Sequence, residues 1–502
     1  MYKCLAHSLL VLAAASVSTY AAPQNIAIIG GGASGTSAAY WIQKEMQSVA
    51  EPPKITLYEK NNRLGGRVYS MPIPGLNMFV EAGASIFVDV NQNMMQFADQ
   101  FGLSKADSDT AGLSNPAMGV WNGTSFTYIR TGNNTIDNAE AVSRFGLYTM
   151  GQLNTFLQGY LQPFMGIYGI SSIYESVQGL LSTLGLSSST TQTGRESMNA
   201  IANLNEDYLA NVVEIGCRVN YGQGLEELHS MGMAISMITS AAKIYQIGTG
   251  NQRIFEKLAQ ASEATIKLNT AVTTITKITG VGGGVQYTVA TSGSSAVATF
   301  DAVVMASPPN TYTDAPIVWN NINANSYFKT LAPVVDYKTV HVTFVVGRVN
   351  PSAFFNMPFP SMGLLPISIY TPQSAVSRVP FTSLSINRVL TTSETFDICS
   401  AISGTPSDVD PYAIHTVTKL FSPTALTNAQ LNQFYSFRLW TYKTSFQAYP
   451  ELVSRAPEDF PPFTVDENLY FPNAFEPFVS TMETSIVSSK NIAKLVARDL
   501  AA

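Results

Sequence analysis

Residues 25–46 read NIAIIGGGASGTSAAYWIQKEM, and this stretch decides the fold. NIAII is a short uncharged run rich in β-branched residues, which suits a strand buried on both faces. Gly30, Gly32 and Gly35 then form G-x-G-x-x-G, and Ala38, Trp41, Ile42 and Met46 follow at helical spacing. KITLYE reads as a second strand, closed by Glu59. In such a unit Gly30 permits the tight turn, Gly32 lets the backbone approach a pyrophosphate, and Gly35 lets helix and strand pack closely. The helix N-terminus presents N–H groups and positive potential to the phosphates. Glu59 is placed to accept hydrogen bonds from ribose hydroxyls, which disfavours a 2′-phosphate and hence NADP. The plain alternative is a glycine-rich turn with no ligand; the agreement of strand, helix, strand and acid argues against it. On these residues alone NAD and FAD stay level.

The next stretch separates them. KNNRLGGRVYS places Arg63, Gly65, Gly66 and Arg67 as R-x-G-G-R. Paired glycines let a chain pass close to a cofactor, and an arginine neutralises a pyrophosphate oxygen through charge-assisted bonds. This pattern resembles the second glycine motif of FAD-dependent oxidoreductases of the amine-oxidase and prenylcysteine-oxidase kind. VEAGASIFVD, with Glu81, Gly83, Ala84 and Ser85, is similar to the segment beside the flavin in those proteins. The resemblance further implies a returning segment, from IGTGNQRIF to DAVVMASPP, that adds strands to the nucleotide domain, with Val272 meeting the adenine. It also implies a C-terminal helix beginning near Ser480 or Thr481. The free N–H groups there, with that of Met482, would face the flavin N1 and C2 carbonyl, where a helix N-terminus stabilises negative charge.

Within that superfamily, RVNYGQ (218–223), SVQGLLSTLGL (176–186), IGTGNQRI and LYFPNAFEPFVSTMETS resemble the prenylcysteine oxidase, or prenylcysteine lyase, family, over about Asn25 to Leu495. The resemblance implies an FAD-dependent thioether oxidase. It would convert S-prenylcysteine, O2 and water to cysteine, prenyl aldehyde and hydrogen peroxide. Such chemistry makes few demands on titratable groups, so Tyr221 and His229 are only weak catalytic candidates. Their bland readings are a core tyrosine and a surface histidine. Trp440 or Tyr442, in FYSFRLWTYKTSFQAYP (434–450), either faces the flavin or fills a sheet core. The rival readings are an FAD amine oxidase of the same fold, which calls for a lysine near the flavin that the sequence does not reveal, and a secreted lipid-binding flavoprotein without activity.

The implied fold class is α/β. A discontinuous Rossmann-like FAD-binding domain takes residues 22–110, 245–310 and 465–502. An inserted α+β substrate-binding domain takes 111–244 and 311–464. Within it, residues 145–186 are apolar and nearly uncharged; they read as two helices broken near Pro163 and Gly166/Gly169, whose plain reading is ordinary helix core, the alternative being that one of them lines a substrate tunnel or touches a membrane surface. The charged fraction of the whole chain is 12%, about half the usual level. A net charge of −6 without a basic run argues against nucleic-acid binding. Residues 1–21 have the form of a secretory signal, and Asn122 and Asn133 head glycosylation sequons. Together they suggest the secretory pathway, ending in a lysosome or vacuole or outside the cell. Cys217 and Cys399 allow at most one disulfide beyond the signal, and no His/Cys spacing suits a metal.

Overall fold

The computed structural model describes residues 24–501 except 50, 108–116, 202, 241, 281–282, 309–315, 324–327, 329–334, 358–364 and 405–407. The expected signal at 1–21 lies outside the described residues. No helix among the described residues is long and apolar enough to cross a membrane.

Ile26, Ala27, Ile28 and Ile29 carry nothing polar toward either face, and their strand, Asn25–Ile29, lies centrally in a six-stranded sheet. It pairs in parallel with Lys54–Tyr58 and with Ala302–Met305, Ile28 standing opposite both Leu57 and Val304. Thr265–Lys267 extends one side in parallel. Leu469–Tyr470 extends the other in parallel, and Thr464–Asp466 closes that edge antiparallel. Each added strand thus comes from a distant part of the chain. The helix Ala33–Glu45 packs against both the helix Gln252–Ala261 and the C-terminal helix Met482–Ala501. A second, four-stranded sheet joins Val297–Phe300, Val285–Thr291, Val272–Thr279 and Val318–Asn320. Its Ile275, Tyr287, Val289 and Phe300 share one buried cluster with the central strands. Residues 318–320 therefore pair within the nucleotide unit, beyond the boundary expected at 310, because they add in parallel to Val272–Thr279.

The other large unit is a seven-stranded sheet. Its order is Tyr435–Pro450, Tyr337–Val349, Thr416–Ser422, Ser383–Val389, Ser368–Tyr370, Met118–Trp121, Phe126–Arg130. All of FYSFRLWTYKTSFQAYP after Phe434, which ends the preceding helix, is thus one long edge strand. Helices between 134 and 236 accompany the sheet. Of the two expected breaks, the helix Leu147–Met165 runs through Pro163 and ends at the second, a tight turn at Gly166–Gly169. Cys217 and Cys399 are free thiols.

Gly35 governs how the first helix meets its strand. A Cβ there would lie 1.9 Å from the Gly30 carbonyl oxygen, and Gly30 itself holds φ +107. By contrast, a Cβ on Gly151, in the helix Leu147–Met165, meets nothing within 4 Å. Gly35→Ala is expected to lower unfolding free energy by about 2–3 kcal/mol through overpacking. Gly151→Ala should leave it unchanged or raise it by about 0.5–1 kcal/mol. Urea denaturation of the two variants checks the contrast.

Candidate active site

A cavity of about 1490 Å³ lies between the nucleotide sheet and the seven-stranded sheet. Ligand pockets ordinarily span about 300–1,000 Å³, so there is room for a large cofactor and a second molecule. Gly30, Gly32, Glu59, Arg63, Gly66, Arg67, Ala84, Ser85, Val272, Thr481 and Met482 all line it. Gly35 does not; its part is the close packing just described.

The glycine loop is a bare cradle. A Cβ on Gly32 would meet nothing nearer than the Gly66 Cα at 3.8 Å, and Gly65 donates its N–H to the Gly31 carbonyl (2.8 Å). The helix Ala33–Glu45 starts without a side-chain cap or an acid in its first turn, so its N-terminal donors stay open toward the cavity. These features fit the pyrophosphate of a dinucleotide. Glu59 is buried, and it accepts from the Gly31 N–H (2.8 Å), the Asn61 N–H (2.8 Å) and the Asn61 side chain (2.7 Å). It fastens the loop, which leaves about one of its four acceptor positions for a ribose.

Both arginines of R-x-G-G-R, one of them expected at the pyrophosphate, line the cavity and also have protein partners. Arg63 donates to the carbonyls of Leu64 (3.2 Å), Gly66 (2.9 Å) and Val68 (3.5 Å), with its guanidinium 3.9 Å from the Tyr69 ring. Arg67 forms an ion pair with Glu476 and donates to the Ala448 carbonyl (3.1 Å). Both shape the wall through which the chain passes beside the cavity.

At the far end of the chain, Thr481 caps the last helix: its Oγ1 accepts from the Thr484 N–H (3.0 Å). The Thr481 N–H is not free as expected, because it donates to the Thr484 Oγ1 (3.0 Å). Among the described residues the Met482 N–H has no protein acceptor. Glu483 is buried and binds the start of the helix Gln92–Gln100, accepting from the N–H groups of Asn93 and Met94 (2.9 Å each). Burial raises its carboxyl above the ordinary range, against those bonds. Glu483 therefore anchors the helix whose open end meets the cavity.

The substrate-side wall is apolar, with Phe164, Met165, Ile167, Ile235, Ile238 and Phe421. Tyr221 lines it too, and burial pushes its phenol up. Trp440 and Tyr442 stack on each other in a separate cluster and do not line the cavity. Sequence reasoning missed Lys419. It sits on Thr416–Ser422 with 7% exposure, lines the cavity and donates to the Ser85 Oγ (2.6 Å). Burial pulls its ammonium down to about 7, opposed by Glu81. Glu81 accepts from the Asn251 N–H (2.7 Å) and the Ser70 hydroxyl (2.8 Å), and burial pushes its carboxyl up to about 7. The signal was a lone lysine in the strand-like run HTVTKLF.

His229 is not a surface residue and not part of the cavity lining. It caps the helix Ser230–Ser236: Nδ1 accepts from the Gly232 N–H (3.0 Å), and Nε2 lies 3.1 Å from the Pro477 carbonyl. Both nitrogens are satisfied only when Nε2 carries the proton, and burial pulls the imidazole down to about 4. The folded value lies below the unfolded one, so this stabilisation is complete above about pH 6.5. It is lost as pH falls through 4, by up to about 3 kcal/mol. Urea midpoints of wild type and His229→Asn, which keeps a capping acceptor, should converge over that interval. For the loop, Gly32→Val is expected to give a folded protein with little bound flavin; full flavin absorbance in the purified variant would contradict the cradle.

Residues 130–502 match the family model for prenylcysteine lyase, and residues 28–101 match that for an NAD(P)-binding Rossmann-like domain. The chain is 26% identical to farnesylcysteine lyase of Arabidopsis thaliana, over 94% of this chain and 88% of that protein. It is 27% identical to prenylcysteine oxidase 1 of Homo sapiens, over 95% and 89%. Among solved structures, cyclohexylamine oxidase from Brevibacterium oxydans shares the fold at TM-score 0.59 and 11% identity, covering 96% of this chain and all of that one. Putrescine oxidase bound to putrescine does so at TM-score 0.57 and 12% identity, over 96% and 99%. The prenylcysteine lyase model matches well over half of the sequence, and the chain is a member of the prenylcysteine lyase family.

Proposed function

We propose that this chain is an FAD-dependent oxidase that cleaves S-prenyl-L-cysteine, with O2 as final acceptor, in the breakdown of prenylated proteins. The observation that carries the reading is one continuous cavity, which joins a dinucleotide cradle to an apolar wall in a chain of this family. The net reaction takes thioether, O2 and water to cysteine, prenyl aldehyde and hydrogen peroxide. FAD, when bound, supplies the two-electron acceptor.

The protein's own groups hold and exclude. The open N–H groups at Ala33 and Ser34 suit the pyrophosphate, and the uncapped Met482 N–H at a helix start favours negative charge placed against it. The apolar wall seats the isoprenoid and orients the carbon attached to sulfur. Once that carbon is oxidised, water adds to it and the hemithioacetal collapses to thiol and aldehyde. Neither step demands a strong base, in keeping with a lining that has no histidine among the described residues.

The signal-like residues 1–21 and the two sequons support a secretory-pathway protein of lysosome, vacuole or extracellular space. Asn133 is exposed at a helix start and Asn122 sits in a hairpin turn. Leu147 and Tyr148 are 70% and 54% exposed at the start of an uncharged helix, which supports peripheral contact with a membrane.

Peroxide release by the flavin-loaded protein tests the reading. Farnesylcysteine is expected to yield equal peroxide, free thiol and aldehyde, with amines inert. Peroxide from amines and none from farnesylcysteine would transfer the chain to the amine-oxidase reading. A protein purified without flavin absorbance would remove both.

A further inference from the structure

Among the described residues, two buried side-chain polar atoms of the cavity lining make no hydrogen bond: the Asn387 Oδ1 on the seven-stranded sheet, and the Tyr221 Oη. The setting of Tyr221 is fixed on every side. It ends the helix Glu214–Tyr221, and Gly222 turns the chain there in the left-handed region, with φ +63. Gln223 then clamps the backbone. Its Nε2 donates to the carbonyls of Tyr221 (3.1 Å) and Pro450 (3.3 Å), and its Oε1 accepts from the Leu452 N–H (2.8 Å). The phenol ring stands edge-on to Tyr449, with centroids 5.5 Å apart at 79°. The stretch RVNYGQ thus uses a glycine turn, a glutamine and an aromatic neighbour to hold one phenol, whose oxygen in turn holds nothing in the protein. A hydroxyl buried without a partner is unfavourable. In so defined a setting it calls for a partner that is not protein.

Tyr221 stands where the cofactor end of the cavity meets the apolar wall. The Ser480 N–H faces its oxygen without closing a bond of ordinary geometry. Val479, Ser480 and Thr481 lead into the last helix and line the cavity. Phe478, just before them, packs edge-on against Phe164 of the apolar wall, with centroids 5.8 Å apart. The proposed oxidation needs a second reactant at this junction. Loss of hydride to FAD leaves a carbon cation shared with sulfur. The oxygen of a water then bonds to that carbon, and the carbon–sulfur bond breaks as the aldehyde C=O forms. Of the two water protons, one ends on the cysteine sulfur and one is released. Beside Phe164, Ile167, Ile235 and Ile238, such a water needs a polar group to hold it. A phenol suits the place, with an apolar ring for the wall and a polar tip for the water. Burial keeps it protonated, so it offers a donor and acceptors together and does not act as a base.

We infer that the Tyr221 hydroxyl, beside the Ser480 N–H, holds the water that adds to the oxidised carbon. This rests on the thioether reading above and supplies a residue for the second half of that reaction. Tyr221 acts after the hydride has left, and its effect falls on which nucleophile reaches the carbon rather than on how fast the carbon is oxidised.

The test is the partition of the oxidised carbon between two nucleophiles. FAD-loaded wild type and Tyr221→Phe each turn over farnesylcysteine once, without O2, in water containing methanol. Capture by water gives thiol and aldehyde. Capture by methanol gives a mixed O-methyl, S-cysteinyl acetal, which mass spectrometry counts. Wild type is expected to give thiol and aldehyde almost alone. Tyr221→Phe should raise the acetal share about 5-fold or more, the size of one hydrogen bond, while its flavin bleaches at an unchanged rate. Its unfolding midpoint should hold or rise, because no hydrogen bond within the protein is lost. An acetal share that the substitution leaves unchanged would overturn the assignment. So would slower bleaching with an unchanged share, the mark of a phenol that orients substrate or cofactor, and so would loss of flavin or a lower midpoint in the variant, the mark of a structural hydroxyl. Failure of farnesylcysteine to bleach a flavin-loaded wild type would overturn the thioether reading, and this assignment with it.

Discussion

The ion pair between Arg67 and Glu476 holds the architecture of the cavity together. Arg67 comes from the turn after the second strand, and Glu476 from the turn before the last helix. The Ala448 carbonyl, on the long edge strand of the other sheet, accepts from the same guanidinium. The Tyr337 hydroxyl, on the neighbouring strand, donates to Glu476 (2.9 Å). Four distant segments therefore meet at one half-buried charge pair. Removing one partner of such a pair leaves an uncompensated charge and destabilises by about 3–5 kcal/mol. Everything that lines the cavity is placed relative to this junction: the cradle on one side, the apolar wall on the other, and the start of the C-terminal helix beyond.

Charge is used sparingly around it. The carboxylates in and beside the lining serve the structure. Glu59 ties the glycine loop, Glu476 ties the junction, and Glu483 ties a helix start. Glu81 sits behind the lining on a backbone N–H and a serine. An oxidation that removes a hydride and then adds water needs a dry, oriented carbon more than it needs proton transfer. The distribution of charge agrees: it goes into building the walls.

What was legible in the sequence was local. The first strand, its glycine turn, the following helix and the second strand are contiguous, so their periodicity and spacing carry the unit. The C-terminal helix could likewise be started within a residue of Thr481, because a threonine cap is a short-range signal. What could not be read was which partner each polar group takes across hundreds of residues. Arg67 looks like a phosphate ligand until Glu476 is beside it. His229 looks like a surface residue until the Pro477 carbonyl and the Gly232 N–H close on its two nitrogens. Lys419 is only an odd residue in a strand until Ser85 comes within reach of it from the other domain. Pro163 breaks helices by local rule, yet it falls in the last turn, where little hydrogen bonding is lost.

The six-stranded sheet sets the order in which this protein can become complete. The first strand is nearly the first part of the described chain to leave the ribosome, yet it lies between strands at 54–58 and 302–305, with 469–470 one place further out. The helix after it is covered by the C-terminal helix, whose Ser489 hydroxyl donates to the Ser34 carbonyl (2.8 Å). During synthesis the apolar faces of residues 26–29 stay uncovered until almost the whole polypeptide has emerged, and transiently exposed surface of that kind is what chaperones bind. The glycine cradle is thus complete only when the final helix is in place on the first.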